Sequence, residues 1–327
     1  MKILIFGAGV LGSLYAARLQ EAGHEVSILA RGRRLQEIRG QGLVLEHALS
    51  GQYLVVPIRV IEKLNVYDQY DYIIVLVRNP QVREALALVE KNIETLNILV
   101  MVNNVMGYQE WIDAVGRDRL MVGFPGAGGT CKDGVVKYAL APAFFQPTTV
   151  AEIDGQPSER LLKLVRAFRE AGFPTTTCRN MDAWQKTHVA WVSPLAQAIY
   201  MARNEGIQLG DSRNNIKLMI KAIRDSLAAL KQLSIPVTPS IMRFWQLLPE
   251  PLLVEGVRLW SKTQHFNTLA LQHSMVARDE MDQLARQFTA LSKSAGIFTP
   301  CLNILRQRVV TTSGLAELGI QSYNLPG

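Results

Sequence analysis

The chain has 327 residues, of which 48% are hydrophobic and 19% are charged, a composition that excludes a disordered or fibrous protein and leaves room for two domains. Its net charge of +7 comes from basic residues that are interspersed with acidic ones, except at residues 31–34, so we expect anionic small molecules and no nucleic acid as partners. We expect no membrane span, signal peptide, metal site or disulfide framework, and hence a cytoplasmic protein, because long apolar runs are absent and Cys131, Cys178 and Cys301 are widely spaced.

The first thirty residues predict a strand, a glycine-rich turn, a helix and a second strand. The apolar residues 2–6 form the first strand and lead into Gly7-Ala8-Gly9-Val10-Leu11-Gly12, a GxGxxG sequence. A helical pattern follows over residues 13–22, Gly23 ends it, and residues 25–29 supply the second strand. This order is the context in which GxGxxG binds a dinucleotide.

Each glycine of the turn has a mechanical role in this interpretation. Gly7 makes the tight turn, Gly9 lets the backbone approach a pyrophosphate, and Gly12 lets the helix pack closely on the strand. The N–H groups and dipole at the start of the helix then face the phosphates. The alternative is a glycine turn that binds no ligand.

Three arginines follow the second strand. Arg31 stands where a site for the non-phosphorylated cofactor places Asp or Glu, which accepts from the ribose 2′-hydroxyl. Arg31, Arg33 and Arg34 offer guanidinium groups that suit a 2′-phosphate, so NADPH is the expected cofactor. The alternative is a solvated basic turn.

The remaining elements of the first half alternate between strands and helices. Apolar runs at 43–45, 53–56 and 72–77 suit parallel strands that are buried on both faces, and so do residues 97–102 and 120–124. Helices are predicted at 80–93 and 160–171, and antiparallel β structure at the sheet edge from 134–139 and 148–153. The alternation predicts a doubly wound, Rossmann-like α/β domain over residues 1–179.

From residue 180 onward strand signals nearly vanish. Apolar residues recur at helical spacing over 216–230 and 284–297, with breaks at prolines between 236 and 251. We therefore expect an all-α domain over residues 180–327, which could also support a homodimer. Reactions in such two-domain proteins usually take place at the carboxyl ends of the strands, in the cleft between domains.

The head of the predicted helical domain carries Trp184-Gln185-Lys186 after Asn180, which can cap the helix. With this domain order and Trp-x-Lys, the chain resembles the ketopantoate reductase (2-dehydropantoate 2-reductase) family. The resemblance implies that Lys186 protonates the ketone oxygen as NADPH delivers hydride. Without the resemblance, a single lysine on a helix is usually a solvated side chain.

Further positions match the family's motifs. Asp279-Glu280-Met281-Asp282 resembles its Thr-Glu-Ile-Asp segment, which implies an active-site role for Glu280, and Thr268 stands at the place of its substrate-binding serine. The turn at 103–107 implies a cofactor or substrate contact for Asn104, and Arg78 stands where the family has a lysine near the cofactor. A charged helix face, a turn asparagine and a loop arginine are the structural alternatives.

Other positions depart from the family. Ala190 stands where the family has a substrate-facing asparagine, and Ser193, our remaining candidate for that contact, replaces a second one before Pro194. His188 points to a different helix face from Lys186 and is interpreted as a packing residue. The sequence therefore predicts an NADPH-dependent reductase of a small-molecule 2-oxo acid, with ketopantoate as the default substrate. The alternatives are a 3-hydroxy acid dehydrogenase and a non-catalytic NADPH-binding sensor.

Overall fold

The structure, a computed structural model, describes residues 1–317 of the chain. These residues fall into two compact units that divide between Asp182 and Ala183, three residues beyond the predicted domain boundary. Each unit is described by itself.

The first unit contains twelve strands in two sheets. The strands are β1 (Lys2–Phe6), β2 (Glu25–Leu29), β3 (Leu43–His47), β4 (Tyr53–Val56), β5 (Arg59–Ile61), β6 (Tyr72–Val75), β7 (Ile98–Val100), β8 (Leu120–Phe124), β9 (Ala127–Lys132), β10 (Val135–Leu140), β11 (Thr148–Glu152) and β12 (Thr175–Thr177). The larger sheet has the order β12-β11-β8-β7-β6-β1-β2-β5, and the smaller has the order β4-β3-β10-β9.

The larger sheet is parallel except where β11 runs antiparallel to β8. Its centre is β1, in which Ile3 lies opposite Val26 of β2 on one side and Tyr72 of β6 on the other. Strand β1 is buried from Ile3 to Phe6, as are all four residues of β6. Burial on both faces explains why these strands are continuous apolar runs.

Five helices belong to the first unit: α1 (Val10–Glu21), α2 (Gly32–Gln41), α3 (Val82–Val89), α4 (Gln109–Val115) and α5 (Glu159–Glu170). A short 3₁₀ turn, Asn79–Gln81, precedes α3. The doubly wound α/β class is thus confirmed, with β1, β2 and β8 at the predicted bounds. Helix α1 begins at Val10, three residues before the predicted start, because the last glycine of the turn is already helical.

Two predictions about strands in the first unit were wrong. The runs at 43–45 and 53–56 do not belong to the main parallel sheet, because β3 and β4 form an antiparallel hairpin of the smaller sheet, in which β3 also pairs in parallel with β10. Tyr53 is 62% exposed and Val55 is 58% exposed. The loop between β3 and β4 is too short for the crossover that a parallel pair needs.

The second error concerns the antiparallel β structure expected at the edge of the larger sheet from residues 134–139 and 148–153. Strands β9 and β10 are antiparallel, but they join β3 in the smaller sheet, and only β11 extends the larger one. The predicted helix over 80–93 is also shorter, because the 3₁₀ turn occupies its start. Helices α2 and α4 and the three-residue strands β5 and β12 were not predicted, because short elements carry too little periodicity.

An aromatic cluster ties α1 to α5 and the strands beneath them. The ring of Tyr15 stacks on Phe173, with centroids 4.1 Å apart, and meets Phe168 edge-on at 5.3 Å. All three side chains are buried. The phenolic oxygen of Tyr15 is 2.5 Å from Thr148 Oγ1 in β11, so the polar end of this buried ring is also paired.

The second unit is helical throughout its described part. Its helices are α6 (Met181–Asn204), α7 (Arg213–Gln232), α8 (Phe244–Leu247), α9 (Glu250–Ser261), α10 (His273–Val276), α11 (Arg278–Ser294) and α12 (Pro300–Glu317). Residues 266–272 form a π-helical segment. The predicted apolar stripe of α7 is confirmed, since Ile216, Met219, Ile220, Ile223, Leu227 and Leu230 are fully buried. None of the helices in the described residues is long and apolar enough to cross a membrane.

We expect Phe168→Ala to lower the free energy of unfolding by about 3–5 kcal/mol, because it removes a buried ring and leaves a cavity beside Tyr15. Urea denaturation followed by circular dichroism measures the change. Leu162→Ala, on the same helix at a side chain that is 50% exposed, is the control and should change stability by less than about 1 kcal/mol. Equal effects of the two substitutions would show that the aromatic cluster does not hold this unit together.

Candidate active site

The turn between β1 and α1 is built so that two of its positions accept only glycine. Gly7 has a φ of +114°, and a Cβ there would lie 2.4 Å from the carbonyl oxygen of Leu76. A Cβ on Gly12 would lie 1.8 Å from the carbonyl oxygen of Gly7. The first turn of the helix therefore rests directly on the backbone that leaves the strand, as the sequence predicts for Gly7 and Gly12.

The middle glycine of the turn has the opposite surroundings. Gly9 is exposed, and a Cβ built on it would meet nothing within 4 Å. Gly9 is also the N-cap residue of α1 and provides no side-chain hydrogen bond to the helix. The N–H groups of Val10 and Leu11 thus begin a helix whose positive end is not covered by a capping side chain, the arrangement that favours a bound phosphate.

Arg34 holds this turn from behind. Its Nε donates to the carbonyl oxygen of Ala8 at 3.1 Å, and another guanidinium nitrogen donates to Ser13 Oγ at 3.0 Å. A further nitrogen donates to the carbonyl oxygen of Gly134, in the turn between β9 and β10, at 3.0 Å. Only 16% of the Arg34 side chain is exposed. Arg34, which the sequence grouped with the phosphate-binding arginines, is therefore a support of the glycine turn.

Arg31 and Arg33 remain at the surface beyond the end of β2. The Arg31 guanidinium lies 2.9 Å from Glu84 of α3, and the two side chains are 52% and 71% exposed. Arg33 is 80% exposed and pairs with Glu37 at 2.7 Å. Because exposed ion pairs contribute little stability, both guanidinium groups can exchange these partners for a phosphate at small cost. The loop from β2 into α2 carries no carboxylate at residues 30–34.

Two further predicted residues follow strands β6 and β7. Arg78 is exposed and precedes the 3₁₀ turn, and Asn104 is buried. The Asn104 carboxamide closes its own turn: its Nδ2 donates to the carbonyl oxygen of Gly107 at 2.6 Å, and its Oδ1 accepts from the Met106 N–H at 2.9 Å. The side chain of Asn104 thus shapes the turn.

Asn79, which the sequence analysis missed, links the two loops. Its Nδ2 donates to the carbonyl oxygen of Asn103 at 2.6 Å, so the segment after β6 is tied to the segment after β7. The strands β7, β6, β1 and β2 are consecutive neighbours. The turns that carry Asn104, Arg78, Gly9 and Arg31 consequently succeed one another along the carboxyl edge of the sheet, where ligands of such sheets bind.

The other predicted residues lie in the second unit, two of them on α6. Lys186 is partly buried, and Ser193 is 1% exposed. With about 100° between successive helix residues, Lys186, Ala190 and Ser193 lie within about 60° of one another around the helix axis. Within the described part of the chain, Ser193 Oγ has no hydrogen-bond partner.

Thr268 and Glu280 lie on either side of the residues that contact Tyr200 of α6. Thr268 is 2% exposed within the π-helical segment, and Glu280 is 5% exposed in the first turn of α11. Tyr200 of α6 donates from its hydroxyl to the carbonyl oxygen of Ser274 at 2.6 Å, and its ring lies under the guanidinium of Arg278 at 4.9 Å. Because Tyr200 is also within about 40° of Lys186 around the axis, the Lys186 face of α6 is the one directed toward residues 274–278.

The opposite face of α6 is aromatic. His188 stacks on Trp184 with centroids 5.4 Å apart and planes 8° apart, and Trp191 contacts both Trp245 and Trp260. Burial, with a smaller contribution from His273, lowers the pKa of His188 to about 3. His188 is therefore a neutral packing residue at physiological pH, in agreement with its interpretation from the sequence.

Among the described residues, no group of three or more His, Cys, Asp or Glu side chains is arranged to hold a metal ion. The features that the first unit does provide are a close-packed glycine turn, an uncapped helix N-terminus and surface arginines at the carboxyl edge of a parallel sheet. These are the features of a dinucleotide-binding domain, here followed by a helical second unit.

Comparison with known proteins gives the same class. Residues 3–144 match the family model for ketopantoate reductase PanE/ApbA. The chain is 23% identical over 313 residues to a 2-dehydropantoate 2-reductase of Aquifex aeolicus (strain VF5), covering 94% of this chain and 96% of that protein.

Solved structures share the fold. A 2-dehydropantoate 2-reductase from Geobacter metallireducens GS-15 superposes with a TM-score of 0.77 at 17% identity, covering 95% of this chain and 99% of that one. D-mandelate dehydrogenase, solved with NADH and anilino(oxo)acetate, superposes with a TM-score of 0.71 at 18% identity, covering 98% and 100%. Residues 3–144 thus resemble the ketopantoate reductase PanE/ApbA family, and the chain as a whole is similar in sequence and fold to 2-dehydropantoate 2-reductases.

The glycine geometry predicts opposite behaviour for two alanine substitutions. Gly9→Ala should fold with an unchanged melting temperature, because the added methyl meets open space, but it should weaken dinucleotide binding, because the methyl occupies the approach to the helix N-terminus. Gly12→Ala should lower the melting temperature, because the methyl meets the Gly7 carbonyl. Differential scanning fluorimetry and titration with reduced dinucleotide separate the two. Unchanged dinucleotide affinity in Gly9→Ala would contradict phosphate binding at this turn.

Proposed function

We propose that the protein reduces a 2-oxo acid to the corresponding 2-hydroxy acid with NADPH, and that its substrate is ketopantoate, which gives pantoate. It would then act in pantothenate biosynthesis, in the cytoplasm. The observation that carries the proposal is the turn at Gly9, which opens the N-terminus of α1 at the edge of the sheet where Arg31 also lies. Bound NADPH would supply the hydride.

The choice of NADPH over NADH rests on charge. A site for NADH benefits from a carboxylate at the end of β2, where this chain has Arg31 and Arg33. A guanidinium group binds a 2′-phosphate through charge-assisted hydrogen bonds. Arg34 is committed to the glycine turn, so the phosphate contact falls to the two exposed arginines.

Lys186 is proposed as the proton donor. Hydride addition to a ketone creates an alkoxide, and an ammonium group both stabilises the developing negative charge and donates the proton. Glu280, a buried carboxylate in the first turn of α11, is proposed to orient the ammonium or to accept a hydrogen bond from the substrate. The hydroxyls of Thr268 and Ser193 are proposed to contact the acid, and Arg78 and Asn104 to line the cofactor side.

A homodimer is also proposed, formed through the second unit. Leu252 and Leu259 lie two helical turns apart on α9 and are 62% and 68% exposed. Leu247, just before α9, is 78% exposed. A second subunit packed on these exposed leucines would remove them from water.

The direct test is to mix the protein, NADPH and ketopantoate and to follow the absorbance of the reduced nicotinamide. Consumption of NADPH with formation of pantoate is the expected result. If other 2-oxo acids are reduced and ketopantoate is not, the substrate is wrong while the reaction stands. Tight NADPH binding without consumption across a panel of 2-oxo acids would instead favour the sensor hypothesis.

We expect Arg31→Ala to raise the dissociation constant for NADPH roughly 10- to 100-fold, because it removes charge-assisted hydrogen bonds to the 2′-phosphate, and to leave NADH binding nearly unchanged. Isothermal titration calorimetry with both dinucleotides measures the selectivity. Arg39→Ala, at the exposed far end of α2, is the matched control and should affect neither. A preference of the wild-type protein for NADH would overturn the assignment.

For the reaction itself, Lys186→Ala should lower kcat by roughly 10²- to 10⁴-fold, because general acid catalysis contributes about that much. The affinity for NADPH should stay within about twofold, because the ammonium acts mainly on the transition state. Steady-state kinetics and cofactor titration give the two values. Lys217→Ala, at an exposed position of α7, controls for the loss of a positive charge. A kcat that survives in Lys186→Ala would exclude this residue as the acid.

A further inference from the structure

Two buried polar groups of α6 lack a partner in the described residues. Ser193 is 1% exposed and Gln197 is 2% exposed. Neither Ser193 Oγ nor Gln197 Nε2 has a hydrogen-bond partner there. An unpaired buried donor is costly, so two of them one helical turn apart indicate that this part of the helix is shaped to meet another polar group.

The pair lies on the same face of α6 as Lys186. At about 100° per residue, Gln197 is displaced from Lys186 by about 20° around the axis, and Ser193 by about 20° in the other direction. Side chains of a helix lean toward its N-terminus, so the Gln197 carboxamide covers the turn that contains Ser193. The hydroxyl and the carboxamide, which we term the Ser193–Gln197 pair, thus form one polar patch toward Lys186.

Pro194 adds an acceptor to the same place. A proline inside a helix has no N–H to donate to the carbonyl four residues earlier, which here is that of Ala190. Ala190 itself has only a methyl side chain and is 1% exposed. The face of α6 between Lys186 and Tyr200 therefore carries a hydroxyl, an amide donor and a backbone carbonyl that lacks its usual helical partner.

The chemistry of this patch indicates the group that it recognises. The hydroxyl, the amide and the backbone carbonyl of the patch are all uncharged. A carboxylate buried against them would need a cationic partner. Of the cations on this face, Lys186 lies about three turns before Gln197, and Arg278 is engaged over the ring of Tyr200 one turn beyond Gln197. A hydroxyl suits the patch, because it accepts from an amide N–H and donates to a carbonyl or a serine oxygen.

We propose that the Ser193–Gln197 pair binds a hydroxyl on the side chain of the 2-oxo acid and that Gln197 thereby determines specificity. The inference rests on the proposed function and adds to it a residue that the sequence analysis did not single out. Gln197 selects hydroxylated substrates over aliphatic ones, because only a hydroxyl satisfies the buried amide. An aliphatic acid leaves that amide unpaired at the same position.

Two acids that differ by one hydroxyl group test the inference. Ketopantoate carries the hydroxyl, and 3,3-dimethyl-2-oxobutanoate has hydrogen in its place. The wild-type enzyme with NADPH should prefer ketopantoate in kcat/KM by roughly 10- to 100-fold. Gln197→Met, which keeps the length of the side chain and removes its hydrogen bonds, should reduce the preference to within about threefold by raising KM for ketopantoate.

The same measurements separate a recognition role from a structural one. Gln197→Met should leave kcat/KM for the dimethyl acid within about twofold of wild type, and its melting temperature should not fall, because the substitution removes an unpaired buried amide. Equal losses for both acids, or an unchanged preference, would overturn the proposal. Gln232→Met, at an exposed position at the end of α7, is the control and should behave as wild type.

Ser193→Ala provides a second route if Gln197→Met does not fold. Ser193→Ala should also reduce the preference for ketopantoate, but by less than Gln197→Met does, because one of the two hydrogen bonds remains. If the wild-type enzyme reduces neither acid, the proposed function fails. If it reduces both equally and Gln197→Met changes nothing, reduction of 2-oxo acids stands and the role of Gln197 is refuted.

Discussion

The glycine turn of the first unit depends on the absence of a side chain at Gly12. Helix α1 can start where it does only because Gly12 lets its first turn rest on the Gly7 carbonyl, with a notional Cβ just 1.8 Å from that oxygen. The contact fixes the direction of the helix and so the place where its uncapped N–H groups emerge beside Gly9. Arg34 then secures the turn through Ala8 and Ser13. The position of an anion at this edge follows from backbone packing before any side chain contributes to binding.

The accuracy of the fold prediction varied with the strength of the local sequence signal for each element. Strands β1, β2 and β8 were found at their bounds, because continuous apolar runs flanked by glycine or polar residues are typical of buried parallel strands. The β3–β4 hairpin was misassigned because β-branched and aromatic residues favour any strand, and pairing partners are set by tertiary contacts. The short loop between β3 and β4 favours a hairpin, and the prediction did not use that signal.

Prediction of the candidate-site residues was also limited by tertiary contacts that the local sequence does not reveal. The glycines could be interpreted from spacing because their roles are steric and local. Arg31 and Arg34 look alike in sequence, yet Arg31 remains at the surface and the largely covered Arg34 supports the glycine turn, a difference that depends on where α2 begins. Gln197 lies in the apolar stretch 195–199, and its amide gains meaning only from burial without a partner. The sequence did offer one indication, since Gln197 lies within about 20° of Lys186 around the helix axis.

The hydrogen bond from Arg34 to Gly134 connects the smaller sheet to the dinucleotide turn. Asp133 and Gly134 both have positive φ, so the tip of the β9–β10 hairpin is a tight left-handed turn that presents this carbonyl in a fixed direction. Lengthening the hairpin by one residue would move the carbonyl away and deprive the guanidinium of an anchor. The geometry of this peripheral hairpin is therefore coupled to that of the glycine turn, and a graft of the hairpin tip between relatives should include the arginine that contacts it.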